Sequence, residues 1–436
     1  MNASVQTVAI DVALIRRRDW SIISLVGAAH ACSHFFQLVL PTLYLSLAAE
    51  YGYDFAQLGL LASIFFLLSS VGQASSGFVV DRIGPAPVLH FGLACFVVSG
   101  LLIAGSQGYA MLMVAAAIGG IGNSVFHPVD YSILNHRVSP ARLGHGFSAH
   151  GLTGNLGWAL APLYMAAFIH LADWRTAALA ASVLVAVVLL ATWLGRDMLA
   201  GRNAPVAPDA RAEAASAEPG EGKPATDLSS QSVGRTLHTL MLQPALWGAF
   251  LFFVCTSISL SAIQNYTIPM LGTVYGIDNV LAGSALSGYM LAGALGMLAG
   301  GFLASNTPRS EFVVFGSLVL AAGCFTLLAS GWLGSWLALA SVALAGFCSG
   351  IAGPSRDMLI RRVAPKGATG TVYGLVYSGM DIGASLAPVG FGLMLDAGLL
   401  RGPWMGAAAS FIAAALLAVA VGRAATARTG ARAHAA

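Results

Sequence analysis

The chain has 436 residues, of which 57% are apolar and only 9% charged, with a formal net charge of +3. A soluble domain carries roughly 25% charged residues, so a water-soluble globule is excluded, and so small and scattered a charge excludes a nucleic-acid surface. The 51 glycines and a mean hydropathy of +0.78 suit helices that are solvated by lipid and packed closely on one another.

Apolar runs bounded by charge, Gly/Pro or polar clusters predict twelve membrane helices, each near the ~20 residues that one bilayer crossing takes. The first six fall at 21–48, 56–80, 86–105, 109–134, 144–170 and 174–195. The second six fall at 244–272, 280–304, 311–330, 333–360, 369–395 and 403–422. This divides the chain into a tail at 1–20, a six-helix unit at 21–195, a linker at 196–243, a second unit at 244–422 and a tail at 423–436. The middle of the linker is Ala, Pro, Ser, Glu and Gly without an aromatic residue, a composition that cannot bury a core. Arg16, Arg17 and Arg18 precede a first apolar run too long for a secretory signal, so it is read as an uncleaved first helix. Cys32, Cys95, Cys255, Cys324 and Cys348 lie inside apolar runs without C-x-x-C spacing, which points to packing rather than to a disulfide framework or a zinc site.

Cytoplasmic loops retain Lys and Arg during insertion. On this map 18 of the 21 positive residues fall on one side, Arg175 and Arg401 on the other, and Arg356 within the tenth helix. Both termini and the linker are therefore expected in the cytoplasm. The two halves repeat: Pro128/Pro354, Gly144/Gly370 and Gly157/Gly383 are each 226 positions apart, and Gly72/Gly296 and Gly77/Gly301 are 224 apart. A duplication of six helices in the same orientation predicts two parallel bundles related by an axis along the membrane normal.

Polar groups inside such helices are costly and mark function. In the first helix His30, His34, Gln37 and Pro41 occupy one stripe, and the seventh answers with Gln264, Asn265, Tyr266 and Pro269, both prolines freeing backbone that is tolerated where it lines a cavity. Besides the histidines, among them His127 in the fourth helix, the intramembrane ionisable groups are Asp130, Arg356, Asp357 and Asp381. Asp130 and Arg356 are 226 apart, which suggests a charge pair that closes the cytoplasmic side of the cavity, with the alternative that Arg356 pairs with its own neighbours or reaches the interface. Asp381 shares a face with Tyr373 and Tyr377 and is a candidate carrier of a coupling proton, with His34 and His127 as competitors and a neutral, hydrogen-bonded Asp as the bland alternative.

The loop after the second helix, GFVVDRIGPAPVL, resembles the signature of the major facilitator superfamily at Gly77, Asp81, Arg82 and Gly84, but has Pro85 and Ala86 where that family is basic. Gly77 is expected to let helices pack closely, and Asp81 to cap the eleventh helix near Thr369 to Thr371. Gly122, Ser124, Phe126, His127 and Pro128 resemble the G-x-x-S-x-F-H-P segment of the fosmidomycin-resistance family of efflux proteins. His30 and Gln37 match a pattern there too, with Ser33 and His34 in place of Asn and Asp.

The resemblance implies an all-α transporter of twelve helices in two six-helix bundles. It is expected in the bacterial inner membrane as a monomer, moving a small organic solute at the expense of a proton gradient, without cofactor or metal and without nucleic acid. Efflux is the preferred direction and uptake of an organic anion the alternative. An intramembrane enzyme or sensor is the distant rival, opposed by the duplication and by the lack of H-E-x-x-H or G-x-S-x-G.

Overall fold

A computed structural model describes residues 3–200, 243–307, 309–363 and 369–435. Helices in chain order are α1 (Ala3–Gln37), α2 (Val39–Tyr51), α3 (Phe55–Ile83), α4 (Pro85–Ala104), α5 (Tyr109–Asn123), α6 (Phe126–Arg137), α7 (Pro140–Leu171), α8 (Trp174–Leu194) and the short α9 (Arg196–Leu199). After the linker follow α10 (Pro244–Tyr275), α11 (Asn279–Asn306), α12 (Ser310–Ser330), α13 (Ser335–Val363), α14 (Thr369–Asp396) and α15 (Gly402–Ala435). Among the described residues twelve stretches are long and apolar enough to cross a membrane, α1–α2 and α5–α6 each serving as one crossing. Beyond α9, residues 201–242 of the expected linker lie outside the described residues. The backbone of both expected tails is helical, α1 starting at Ala3 and α15 running to Ala435.

Both breaks within a crossing lie just before a proline. Pro128 has no N–H for the Ser124 carbonyl four residues back, and the Ser76 hydroxyl on α3 donates to that oxygen instead at 3.2 Å. Pro41 likewise frees the Gln37 carbonyl, and the chain is interrupted at Leu38. The face carrying Tyr51, Asp173 and Asp396 is called the far face below, and that carrying Arg16 to Arg18 the tail face. At the far face three helices start on aspartate caps. Asp54 accepts from Gln57 N in a capping box, Asp173 from Thr176 N, and Asp278 from Val280 N and Leu281 N. The hydrogen bond from Thr176 N holds Asp173, which is fully exposed, below the usual carboxylate range.

Packing repeats with the sequence. In the first bundle α1 packs on α7, α3 on α5, and α4 on α5 and α8; in the second, α10 packs on α14, α11 on α13, and α12 on α13 and α15. Glycines set the closest approaches. A Cβ on Gly120 would strike the backbone carbonyl of Phe65, and one on Gly346 that of Tyr289, so equivalent residues meet at the 226 and 224 offsets. Between the bundles Gly59 faces the Pro388 carbonyl and Gly283 the Pro162 carbonyl, again at those offsets. The bundles thus meet along two seams, α3 with α14 and α7 with α11. Large apolar side chains such as Leu67, Phe91, Leu298, Phe302 and Leu416 point outward, as lipid-facing surfaces do.

Candidate functional site

Three helices of the first bundle converge on one buried carboxylate. Asp130, on the first turns of α6 beyond the proline break, is fully buried. Its Oδ2 lies 3.2 Å from His150 Nε2 on α7, in hydrogen-bonding geometry, and 3.0 Å from His30 Nδ1 on α1, whose ring is not aligned for a hydrogen bond. The His30 and His150 rings stack at 3.5 Å between centroids. His127 stands 5.2 Å from His30, and His34 4.6 Å from His30 and 6.3 Å from His127, against Trp158 at 4.2 Å. Gly154 makes room for this group, since a Cβ there would come within 3.0 Å of His30 and His34. His30 and His150 are buried, and His127 is the least covered of the three imidazoles nearest Asp130. Three buried atoms of the group, Asp130 Oδ1, His30 Nδ1 and His34 Nδ1, have no hydrogen-bond partner. Each such atom costs about 1–3 kcal/mol relative to a satisfied one, so the site stores a demand for protons, water or a ligand.

A second polar group lies beside it. The Asn123 carbonyl oxygen accepts from Ser33 Oγ at 2.8 Å and Gln37 Nε2 at 3.3 Å, while Asn123 Nδ2 donates to Ser69 Oγ at 2.8 Å. Trp158 Nε1 donates to Gln37 Oε1 at 2.9 Å. Four crossings are tied together next to the Ser124 break, so Gln37 is held inside this network rather than presented freely to a solute.

Hydrogen bonds and ion pairs between described residues join the bundles only at mid-height or toward the far face. Asn155 Nδ2 lies 3.8 Å from Met297 Sδ, and the Asp381 side chain meets Ser70 across the α3/α14 seam. Farther out, Tyr44 donates to Asn265 Oδ1 at 3.0 Å, and Tyr266 donates to the carbonyls of Pro388 and, at 3.3 Å, Phe55. At the edge Asp396 Oδ1 and Oδ2 accept from Phe55 N and Ala56 N, both at 2.8 Å. Those are the first donors of α3, so the second bundle caps a helix of the first.

The profile described as Major Facilitator Superfamily matches residues 25–267 and 257–435. The chain belongs to that superfamily. The fosmidomycin resistance protein of Escherichia coli is 25% identical over 387 residues, 87% of each chain. The membrane sensor protein UhpC of Salmonella typhimurium is 26% identical over 340 residues, 76% of this chain and 75% of that protein. A crystal structure of a bacterial homologue of the human lysosomal transporter Spinster, inward-facing and unoccupied, shares the fold with a TM-score of 0.69 at 14% identity, covering 93% of this chain and 96% of that one.

Within this major facilitator chain several expectations need correction. Asn265 and Tyr266 do not line a cavity: both are buried with their polar ends committed to the far seal. Gln264 is buried as well, its Nε2 without a partner. Asp130 and Arg356 do not pair, because Asp130 is held by its own bundle while Arg356 Nε donates to Asp357 Oδ1 at 2.9 Å and lies over the Phe253 ring. Among the described residues nothing lies within 4 Å of where a Cβ on Gly77 would stand. Asp81 and Arg82 are exposed, and the side chains of Thr369 to Thr371, Tyr373 and Tyr377 lie outside the described residues. Gly84 is a turn glycine: its φ of +88° joins α3 to α4, where Pro85 takes the first helical position. His150, Asn123, Trp158 and Asp396 belong to the site or its seal and escaped the sequence reading. His150 had a signal, an imidazole inside an apolar helix at i, i+4 and i+8 with Gly154 and Trp158.

Proposed function

We propose that this superfamily member is a monomeric proton-coupled exporter of a small organic solute, in the bacterial inner membrane with both termini in the cytoplasm. The observation that carries the reading is the polar wall of His30, His34, His127 and Asp130, with His30 and Asp130 buried, in a bundle whose hydrogen bonds to its partner, among the described residues, lie at mid-height and toward the far face. A wall of that kind offers polar groups to a solute entering from the tail face. Export is supported by the similarity to the fosmidomycin resistance protein and by the positive residues on the tail side. Asp381 carries the coupling proton. It is a carboxylate on the α3/α14 seam, where rocking of the bundles changes what it faces. Uptake of an organic anion is the second reading, favoured by four imidazoles on one wall and Arg356 on α13.

The test uses fosmidomycin and a panel of unrelated inhibitors on a deletion strain and an overproducing one. Export predicts raised tolerance to at least one compound and uptake of it into inside-out vesicles that collapses with an uncoupler. Equal tolerance throughout, with uncoupler-sensitive accumulation in intact cells, establishes the second reading instead. Asp381→Asn is expected to keep downhill exchange and lose uphill transport; uphill transport at the parent rate removes Asp381 as the carrier.

A further inference from the structure

The imidazoles around Asp130 come from α1, α6 and α7, and one nitrogen from each of His30, His127 and His150 lies within 4.8 Å of the others. Asp130 Oδ2 is 3.0 and 3.2 Å from the nearest nitrogens of His30 and His150. Donor atoms bound to a four-coordinate zinc ion at about 2.0–2.1 Å stand about 3.3 Å from one another. Two of the six edges of such a shell, both to Asp130 Oδ2, are therefore near this length; drawing the three imidazole nitrogens from within 4.8 Å to about 3.3 Å of one another closes each pair by about 1.5 Å at most, and the stacked His30 and His150 rings must turn so that both planes meet at the ion. His30 Nδ1 and Asp130 Oδ1 are buried without hydrogen bonds, which a cation in their midst would satisfy.

We propose that His30, His127, His150 and Asp130 form a site for one divalent late transition ion, with Zn2+ the best chemical fit. Three imidazoles and one carboxylate are a borderline donor set that suits zinc, cobalt or nickel and discriminates against magnesium and calcium, which prefer all-oxygen shells. Every donor belongs to one bundle. Rocking therefore leaves the shell intact, and the ion exchanges through His127, its least covered ligand, with whichever side the cavity faces. The lack of C-x-x-C spacing points the sequence away from zinc, and these donors, spread over 121 positions from His30 to His150 inclusive, share no short spacing either. The site stands apart from the export reading, since binding by the purified protein is measured without transport.

Full-length protein, stripped with a chelator and held in detergent, is titrated calorimetrically with zinc chloride alone. The expected result is one saturable equivalent, weakened by roughly 10–100-fold or more in His150→Ala and lost in the His30→Ala/His150→Ala double variant, while His136→Ala on the tail face binds as the parent does. A second measurement needs no variant: cobalt bound to the parent should show the visible absorption of a low-coordinate site with imidazole ligands. Failure of the parent to saturate, equal affinity in the double variant, or a spectrum of fully hydrated cobalt each overturns the proposal.

Discussion

Leucine at Gly120 is expected to leave almost no folded protein in the membrane, and leucine at Gly346 to do the same. The Cβ position of each lies well inside contact distance of a backbone carbonyl of the neighbouring helix, Phe65 on α3 or Tyr289 on α11. Overpacking costs about 1–3 kcal/mol where side chains can yield, and here the obstacle is backbone inside a helix, so two crossings must separate. Even Gly120→Ala should lower the thermal midpoint measured by fluorescence-detected size exclusion. Gly77 and Gly301 supply the contrast, being 224 apart with no described residue within 4 Å of either Cβ position. Alanine there gains helix propensity of about 0.5–1 kcal/mol, so the midpoint should hold or rise. Transport separates two roles for Gly77: if its loop closes on the other bundle in the opposite conformation, Gly77→Ala slows transport without loss of stability. A Gly120→Leu protein that folds with the parent midpoint contradicts the packing described above.

Much of this architecture was legible because a bilayer imposes length and polarity on each crossing, and because duplication prints the same glycines twice. Predicted helix ends such as 56–80 and 174–195 lie within a few residues of α3 and α8. Pro41 and Pro128 announced the interrupted backbone, since a missing N–H is visible in the sequence itself. Partner choice was less legible. The repeat offset aligned Asp130 with Arg356, yet a buried carboxylate is held by what lies nearest in three dimensions, here His30 and His150. Asn265 and Tyr266 sat on the expected face of α10 but too near the far seal to reach a cavity. A helical wheel gives direction around the axis and says little about the height at which the opposing bundle makes contact. The same limit hid Asp396, whose partners are backbone amides that no sequence pattern marks.

Asp396→Ala should move the protein toward conformations open at the far face. In the parent each carboxylate oxygen accepts one of the first amides of α3, at 2.8 Å. Charge-assisted hydrogen bonds of this kind contribute about 1.5–3 kcal/mol when shielded, and an anion at a helix N-terminus about 0.3–1 kcal/mol. The pair is exposed, so solvent competes and a combined effect of about 2 kcal/mol is the reasonable expectation, a change of about 30-fold in the conformational equilibrium. Spin labels at Leu171 and Leu399, exposed positions on the far face of the two bundles, report it as a larger population at long distance. Asp54→Ala is the control. Asp54 caps the same helix through Gln57 N but reaches no residue of the other bundle, so its loss should weaken the start of α3 and leave the distance distribution near that of the parent. A distribution in Asp396→Ala that matches the parent, or an equal shift in Asp54→Ala, would mean that the far seal is held by Tyr44, Tyr266 and the glycine crossings alone. The carboxylate would then serve only to cap a helix, and its placement on the opposite bundle would carry no gating role.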